Sequence, residues 1–198
     1  MKAALRVLST LFLMLFVAQA AQATTITFDD ITTTTKLLPN DYSYSGLLWD
    51  NFGVAYSAAY ASNLGYRTGV VSGQYAAYNG NGYTATLRSP TTFTLNSAYF
   101  TSAFLSSNTV TVKGYHGTDQ LYQSAFTLVD PKYPVLHVFD FVNIDRVTFS
   151  TGGLGSQFVM DNLTYNEPVT PTPIPAAVWL LGSGIACLTG FRKRRAKV

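Results

Sequence analysis

The sequence has few of the residues on which many functional classes depend. It contains one cysteine and two histidines, and only 12% of its 198 residues are charged. A single cysteine excludes a disulfide framework and a cysteine-rich metal site within the chain. The low charge argues against a coiled coil, while a hydrophobic content of 47% argues against disorder of the bulk. No Gly-x-Ser-x-Gly elbow, phosphate-binding loop or His-Glu-x-x-His pattern occurs, so we do not expect an enzyme.

The net charge of +3 is unevenly distributed along the chain. Residues 1–23 carry +2 and residues 168–198 carry +5, whereas the middle, 24–167, has ten acidic and six basic residues and a charge of −4. Nucleic-acid-binding surfaces need clustered cations, which this middle does not show along its sequence. No nucleic-acid partner is therefore expected.

The N-terminus has the three parts of a secretory signal. Lys2 and Arg6 form a basic start, residues 8–18 are mostly apolar, and Ala21-Gln22-Ala23 supplies the small residues that signal peptidase needs. The apolar run is too short to span a bilayer core of about 30 Å as a helix. The pattern predicts a signal peptide over residues 1–23, which is removed on export.

The C-terminus has the pattern of a spacer followed by a membrane segment. Residues 168–175 contain four prolines, which favour an extended linker. Residues 176–191 carry no charge, and a cluster of arginine and lysine follows them. The pattern predicts a transmembrane helix within residues 176–198, with its basic end on the cytoplasmic side and the folded domain outside. An ordinary single-pass anchor would fit these features.

The order of motifs in this tail is more specific than a generic anchor. Pro171-Thr172-Pro173-Ile174-Pro175 precedes an Ala-Ala-Val-Trp-Leu-Leu-Gly-Ser-Gly run with Trp179, and the basic end follows with Arg192, Arg194 and Arg195. This segment resembles the PEP-CTERM protein-sorting tail, with Pro173-Ile174-Pro175 in place of Pro-Glu-Pro. The resemblance implies recognition by an exosortase, a membrane protease-transpeptidase that removes the tail. It also implies a transient inner-membrane anchor, then the cell surface or extracellular matrix of a Gram-negative-type bacterium.

The middle, 24–167, shows period-two patterns and almost no helical ones. Thr109-Val110-Thr111-Val112-Lys113 is the clearest strand; others are predicted at 25–28, 93–100, 121–129, 135–141, 146–149 and 158–165. Turn clusters separate them, and residues 32–48, which lack a pattern, predict a long first loop. Closely spaced strands without intervening helices predict an all-β fold, an antiparallel β-sandwich, and roughly eight to ten strands suit a jelly roll.

Four segments recur in an order that resembles a group of exported bacterial β domains. They are Phe28-Asp29-Asp30, Gly46-Leu47-Leu48-Trp49-Asp50-Asn51-Phe52, Asn96-Ser97-Ala98-Tyr99-Phe100 and Phe158-Val159-Met160-Asp161-Asn162-Leu163. The resemblance implies a galactose-binding-like jelly roll. Many relatives of that fold bind sugars and hold a structural calcium ion, but the group itself implies no particular activity.

Aromatic side chains crowd the first half of the domain. Sugar rings present apolar C–H faces to aromatic rings, and their hydroxyls seek amide and carboxylate partners, which suits tyrosine with its apolar body and polar tip. The candidate ligand-binding residues are Trp49, Tyr66, Tyr78, Asn79, Asn81 and Tyr83. The alternative is that tyrosine is a good strand residue with one wet face.

Two aspartates are the candidate calcium ligands. Asp29 ends the first predicted strand and Asp161 lies on the last. The terminal strands of a jelly roll commonly lie side by side, so the two carboxylates could converge on Ca²⁺, which prefers oxygen ligands. The alternative is that each caps a turn or a strand end. Of the histidines, His116 is predicted to be exposed and His137 to be a satisfied core residue.

These observations predict an exported, surface-sorted and non-catalytic module that binds carbohydrate in an extracellular polysaccharide matrix. The partners it implies are signal peptidase, an exosortase, the membrane through residues 176–191, and an extracellular glycan. Two alternatives remain open at this point. One is a hydrolase acting on extracellular polysaccharide, and the other is a structural matrix protein without a discrete ligand.

Overall fold

The computed structural model describes residues 23–31 and 35–167. All of these residues belong to one compact unit. The predicted signal peptide, but for residue 23, and all of the linker, sorting motif and transmembrane helix lie outside the described residues. Among the residues that are described, no helix is long and apolar enough to cross a membrane.

Strands dominate the described residues. They are β1 (Thr24–Ile26), β2 (Lys36–Leu37), β3 (Tyr42–Tyr44), β4 (Leu47–Asp50), β5 (Phe52–Tyr56), β6 (Tyr75–Asn79), β7 (Ala85–Ser102), β8 (Asn108–His116), β9 (Asp119–Leu128), β10 (Val135–Ser150) and β11 (Phe158–Tyr165). One short helix, α1, covers Gly65–Thr68, and 3₁₀ turns lie at Ser57–Ala59 and Gly80–Gly82. The all-β fold expected from the sequence is confirmed.

The strands pair in the order β2-β5-β6-β11-β7-β10-β8-β9, with β1 beside β11 and the β3–β4 hairpin beside β7. All of these pairs are antiparallel. The two long strands change partners along their length. The later half of β7 pairs with β11 and its beginning with β4. The register of β10 against β7 shifts three times between Val138 and Arg146, which bends the strands so that they serve two layers.

The core lies between these two layers. We call the layer with β5, β6 and β11 the first layer, and that with β4, β8 and β9 the second layer. Phe52 of the first layer meets Trp49 and Phe149 of the second at ring-centroid distances of 4.9 and 5.9 Å. Phe100 likewise meets Phe126 at 5.2 Å. The arrangement is a sandwich of the jelly-roll kind, with alternate residues of each strand in the core.

Most sequence-predicted strands are present, and one prediction is wrong in part. Phe158–Tyr165 forms β11 with the predicted bounds, and β1 lies beside it, as expected for the terminal strands. Residues 32–48, predicted as one long loop, contain β2, β3 and the start of β4. These strands have two to four residues, which is too few to show an alternation, and β2 pairs with β5, which is distant in sequence.

Candidate functional site

A second, smaller apolar cluster lies on the outer face of the first layer. Its small strand residues, which alternate with core residues on β5, β6 and β11, are Ala55, Ala76 and Val159. Ala103, directly after β7, and the larger Tyr78 of β6 lie among them. The segment between β5 and β6 packs on these residues through Tyr66 of α1, with Tyr60 and Val70 beside it. Small side chains on the strands therefore leave room for rings above the sheet.

Four rings meet at this place, and we call Tyr60, Tyr66, Tyr78 and Phe104 the tyrosine cluster. Tyr60 stacks on Tyr66, with ring centroids 4.5 Å apart and planes inclined by 22°. Tyr78 meets Tyr66 edge-on at 5.5 Å, and Phe104 lies tilted at 6.5 Å. Tyr66 and Tyr78 are 7% and 8% exposed, whereas Phe104 is 41% exposed. Tyr60 is partly exposed, so the two outer rings face the solvent and the two inner rings support them.

Two glycines allow the rings to come so close to the sheet. A Cβ at Gly53 of β5 would lie 2.3 Å from the Tyr78 ring, and one at Gly65 would lie 1.9 Å from the carbonyl oxygen of Ser102. The N–H of Gly65 donates a hydrogen bond of 2.7 Å to the carbonyl of Ala103. This bond joins the segment that carries Tyr60 and Tyr66 to the end of β7. Only glycine permits such a close approach of two backbones.

The phenol groups of the inner tyrosines stay protonated over the physiological pH range. Burial, followed by the proximity of Tyr60 and Tyr78, raises the pKa of Tyr66 well above its usual range. Burial and Tyr60 also raise the pKa of Tyr78. Within residues 23–31 and 35–167, no hydrogen bond is a cause of either shift. The cluster can therefore offer ring faces to apolar groups and O–H groups to polar ones.

The structure brings together only part of the predicted ligand-binding set. Tyr66 and Tyr78 are in contact, as the tyrosine cluster requires. The placement of Trp49 is a correction: it is completely buried and packs on Phe28 and Phe52, and its indole N–H donates to the carbonyl of Tyr44 at 3.0 Å. A ring without exposed surface offers no face to a sugar.

The other predicted residues lie around the Gly80–Gly82 turn. Asn79 is completely buried; its amide donates to the carbonyl of Tyr83 at 3.0 Å, and its Oδ1 accepts the N–H of Phe158 at 2.8 Å. Asn79 is thus a structural residue, which corrects its assignment to a ligand. Asn81 is exposed in this turn with φ 54°, and Tyr83 is 54% exposed. Neither belongs to the tyrosine cluster.

Sequence reasoning did not select Tyr60 and Phe104, which are the two outer rings of the cluster. Phe104 lies in a stretch of serines, Ser102-Ala103-Phe104-Leu105-Ser106-Ser107, where a large exposed apolar residue is conspicuous. That composition was the available signal. Both rings pack on Tyr66, whose helix is joined to the residue before Phe104 by the Gly65–Ala103 hydrogen bond, and no sequence pattern reports this contact.

Asp29 and Asp161 hold the same segment of chain, between α1 and β6. Asp161 Oδ2 accepts the N–H groups of Val71 and Ser72 at 2.7 and 3.0 Å, and its Oδ1 accepts the N–H of Asn162 at 2.7 Å. Asp29 Oδ1 accepts the N–H groups of Gln74 and Tyr75 at 2.7 and 3.2 Å. The two carboxylates thus contact one short segment of chain through its backbone amides, and their expected convergence on a calcium ion stays a prediction.

The residues here fit calcium only in part. Both side chains offer oxygen, which calcium prefers, but it takes six to eight oxygen ligands. Among the described residues, no group of three or more His, Cys, Asp or Glu side chains could hold a metal ion. Burial, which outweighs the three backbone hydrogen bonds, raises the pKa of Asp161 to about 6. Calcium binding by Asp29 and Asp161 stays a prediction.

His116 is exposed as the sequence predicted, but the prediction for His137 is wrong in part. His116 is exposed, and its Nδ1 lies 3.0 Å from the carbonyl of Asn143. His137 is partly buried and stacks on Phe126 with ring centroids 3.5 Å apart. Its Nε2 is buried and has no hydrogen-bond partner among the described residues. It is therefore not the satisfied core residue that the sequence predicted.

Comparisons with known proteins give no family for this chain. No protein-family model matches it, and no curated protein matches it significantly. Among solved structures, a family 29 carbohydrate-binding module from Piromyces equi is 11% identical, covering 73% of this chain and 89% of its own, with a TM-score of 0.38. An adhesin domain of Lys-gingipain from Porphyromonas gingivalis W83 is 11% identical, covering 73% and 97%, with a TM-score of 0.42.

A cyclase from Fischerella sp. is similar to the same degree. It is 12% identical to this chain, covers 73% of this chain and 96% of its own, and has a TM-score of 0.43. A binding module, an adhesin domain and an enzyme are thus similar to this chain to nearly the same degree. With TM-scores below 0.5, these similarities carry no argument about function, which must come from the side chains of this chain.

Proposed function

We propose that this protein is an exported, non-catalytic module that binds carbohydrate at the tyrosine cluster. The observation that carries the proposal is the stacked pair of Tyr60 and Tyr66, whose outer ring and the neighbouring Phe104 face the solvent. Isolated exposed aromatics are common on protein surfaces. Here Tyr60 and Phe104 each pack against the buried ring of Tyr66, which holds both of the more exposed rings in place.

The chemistry of a sugar matches the two kinds of group found there. The C–H face of a pyranose ring can lie on the ring of Tyr60 or Phe104, and aromatic contacts bury large areas at low entropic cost because a ring has only two side-chain torsions. Hydroxyl groups of the sugar can bond the phenols, and the exposed Ser62 and Asn63 lie on the same segment as Tyr60. The site is thus apolar at its centre and polar around it, as ligand sites generally are.

Glycan binding by single-residue variants tests this proposal. A glycan array should first find a ligand for the purified protein, and calorimetry should then compare Tyr60→Ala and Phe104→Ala with the wild type. We expect each variant to bind at least tenfold more weakly, since aromatic anchors dominate binding free energies. The matched control is Tyr133→Ala, which removes an aromatic ring that is 69% exposed and is not part of the tyrosine cluster.

Three results would contradict the proposal. Absence of any glycan ligand would favour a structural matrix protein, and release of reducing ends from a polysaccharide would favour a hydrolase. Equal glycan affinities of Tyr60→Ala and the wild type would show that the binding site is not the tyrosine cluster.

We further propose that both termini are processed, as their motifs imply. The support is the signal at residues 1–23 and the resemblance of residues 171–195 to a sorting tail, all of it from sequence. Intact-mass measurement on protein from a native-like host should find neither residues 1–23 nor the tail beyond the proline-rich linker. Recovery of Val198 in the mature surface pool would instead indicate a plain membrane anchor.

A further inference from the structure

Three cations lie side by side on the outer face of the second layer. Residues 24–167 contain six basic residues, and three of them, Arg88, Lys113 and Arg146, alternate with buried core residues on β7, β8 and β10. The three side chains therefore point away from the core, and all of them lie on the outer face of the second layer. Three cations on one face of the sheet are unexpected in a domain with a net charge of −4. Their proximity follows from the strand pairing and cannot be predicted from their positions in the sequence.

The strand register sets these cations side by side. Arg146 lies directly opposite Arg88 on β7 and opposite Tyr115 on β8. Lys113 is two residues from Tyr115 on the same strand, and so takes the diagonal position, about 7–8 Å from Arg146 between Cα atoms. Like charges at opposite positions of a sheet destabilise it. A fold that keeps such an arrangement has to compensate for it.

The compensation leaves two cations available. Arg88 is neutralised by ion pairs with Asp41 and Asp50. Within the described part of the chain, neither Arg146 nor Lys113 has a carboxylate within ion-pair distance. They remain uncompensated and partly exposed.

The guanidinium of Arg146 is held in place while most of its donors stay unused. It lies over the ring of Tyr115, with Cζ 4.4 Å from the ring centroid. Its one hydrogen bond is a long one of 3.4 Å from an Nη to the carbonyl of Gly117, and its buried Nε has no partner among the described residues. A planar guanidinium fixed on a ring, with free donors, is suited to bind a carboxylate with two parallel hydrogen bonds.

The surroundings of the two cations are polar, and the two carboxylates nearest to them across the sheet, Asp41 and Asp50, are already paired with Arg88. Thr86 of β7 and Thr148 of β10 lie in the next row of the same face, beside Lys113. The nearest acid along the chain, Asp145, accepts the N–H of Gly117 at 2.7 Å and so helps to hold the β8–β9 hairpin. Hydroxyl-bearing neighbours next to a pair of cations suit a ligand that carries both hydroxyls and carboxylates.

We propose that this face binds an acidic polysaccharide, with the carboxylate of a uronic acid residue at Arg146 and Lys113 and sugar hydroxyls at the neighbouring threonines. The site is on the opposite layer from the tyrosine cluster and does not depend on it. The domain charge of −4 argues against nucleic acid, because a densely charged polymer would be repelled by the rest of the surface. A polyuronate carries fewer charges than duplex DNA for the same length, and it carries more hydroxyls.

The test compares polygalacturonate with the same polymer after methyl esterification, which keeps the sugar and removes the charge. Binding of each polymer to the purified full-length chain is measured by calorimetry. We expect the wild type to bind the free acid at least tenfold more tightly than the ester. Arg146→Gln and Lys113→Gln should each weaken binding to the free acid about tenfold, while Lys36→Gln, which removes an exposed cation on β2, should leave it unchanged. Melting midpoints show whether the variants are folded. If Arg146→Gln does not fold, the result for Lys113→Gln decides the test.

The outcomes separate this proposal from the function proposed above. Tyr60→Ala should leave the preference for the free acid intact, even if it abolishes binding of a neutral glycan. Equal binding of ester and acid, or full affinity in the folded glutamine variants, would overturn the proposal. Tighter binding of an oligothymidylate than of polygalacturonate would assign the face to nucleic acid and overturn it as well.

Discussion

Asp161 on β11 and Asp29 after β1 accept hydrogen bonds from one segment of five residues, 71–75, between α1 and β6. The two carboxylates thus fix the chain that carries Tyr66 to the first and the last strand. Gly73, in this segment, has φ +59°, and a Cβ there would lie 2.0 Å from the Asp29 carboxylate. The tight fit shows that the segment is shaped around these side chains.

Removing the Asp161 carboxylate should destabilise the fold. Asp161→Ala leaves the N–H groups of Val71, Ser72 and Asn162 without their acceptor, and each unsatisfied donor that stays buried costs about 1–3 kcal/mol. Since Val71 and Ser72 are accessible enough to gain water, we expect a total loss of about 1–3 kcal/mol in denaturant unfolding. The control is Asp119→Ala in the exposed β8–β9 hairpin, with an expected change within about 0.5 kcal/mol. Equal stabilities of the two variants would show that the segment is held by other contacts.

The contribution of Asp161 to stability should fall as pH rises. Its pKa is raised to about 6 in the folded state, against about 3.9 in the unfolded chain. The folded state therefore binds the proton more tightly, so the stabilisation is full below pH 4 and is lost as pH rises through 6. Compared with Asp161→Asn, which does not titrate, the wild type should lose about 2 kcal/mol of unfolding free energy between pH 4 and 7. A difference that grows with pH would mean that the backbone hydrogen bonds outweigh burial.

Calcium binding at Asp29 and Asp161 has a thermal test. An ion that binds only the folded state adds about 2.7 kcal/mol at a hundredfold excess over its Kd. For a domain of this size, that is a rise of roughly 5–10 °C in the melting midpoint. We expect chelator to remove this rise in the wild type, and Asp161→Ala to show no response to either treatment. An unchanged midpoint of the wild type in chelator would leave the backbone amides as the only partners of the two carboxylates.

The sequence could predict those parts of the fold that have a period of two. The strand at Asn108–His116 alternates between buried and more exposed residues, and its stretch Thr109–Lys113 was the clearest strand in the sequence. Tyr75–Asn79 was not predicted as a strand. Four of its five residues are buried, on both faces, so it shows no alternation of polar and apolar residues. Its small residues leave space for the tyrosine cluster, and the feature that hides the strand therefore creates the site.

The candidate site was predictable to a smaller extent, because contact between distant residues decides it. Tyr66 and Tyr78 could be selected as aromatics with polar tips, but Trp49 fits the same description and lies in the core. Whether Trp49 is buried depends on which face of β4 packs against β5 across the sandwich, and this cannot be predicted from composition. The juxtaposition of Arg146 with Lys113 depends on register in the same way, since 33 residues separate them in the chain.

Gly65 connects the fold to the proposed carbohydrate site, and its substitution should affect both. In Gly65→Ala the new Cβ would lie 1.9 Å from the Ser102 carbonyl oxygen, and a backbone atom cannot move aside as a side chain can. The segment with Tyr60 and Tyr66 must then move away from Phe104, and its 2.7 Å hydrogen bond to Ala103 must lengthen. We expect a destabilisation of about 1–3 kcal/mol in denaturant unfolding, typical of overpacking, together with at least tenfold weaker glycan binding. Gly152→Ala is the matched control, because its Cβ would meet only the Ser156 side chain, at 3.1 Å for the hydroxyl. If Gly65→Ala unfolds and binds like the wild type, the close approach of the two backbones does not hold the rings, and the tyrosine cluster needs another support.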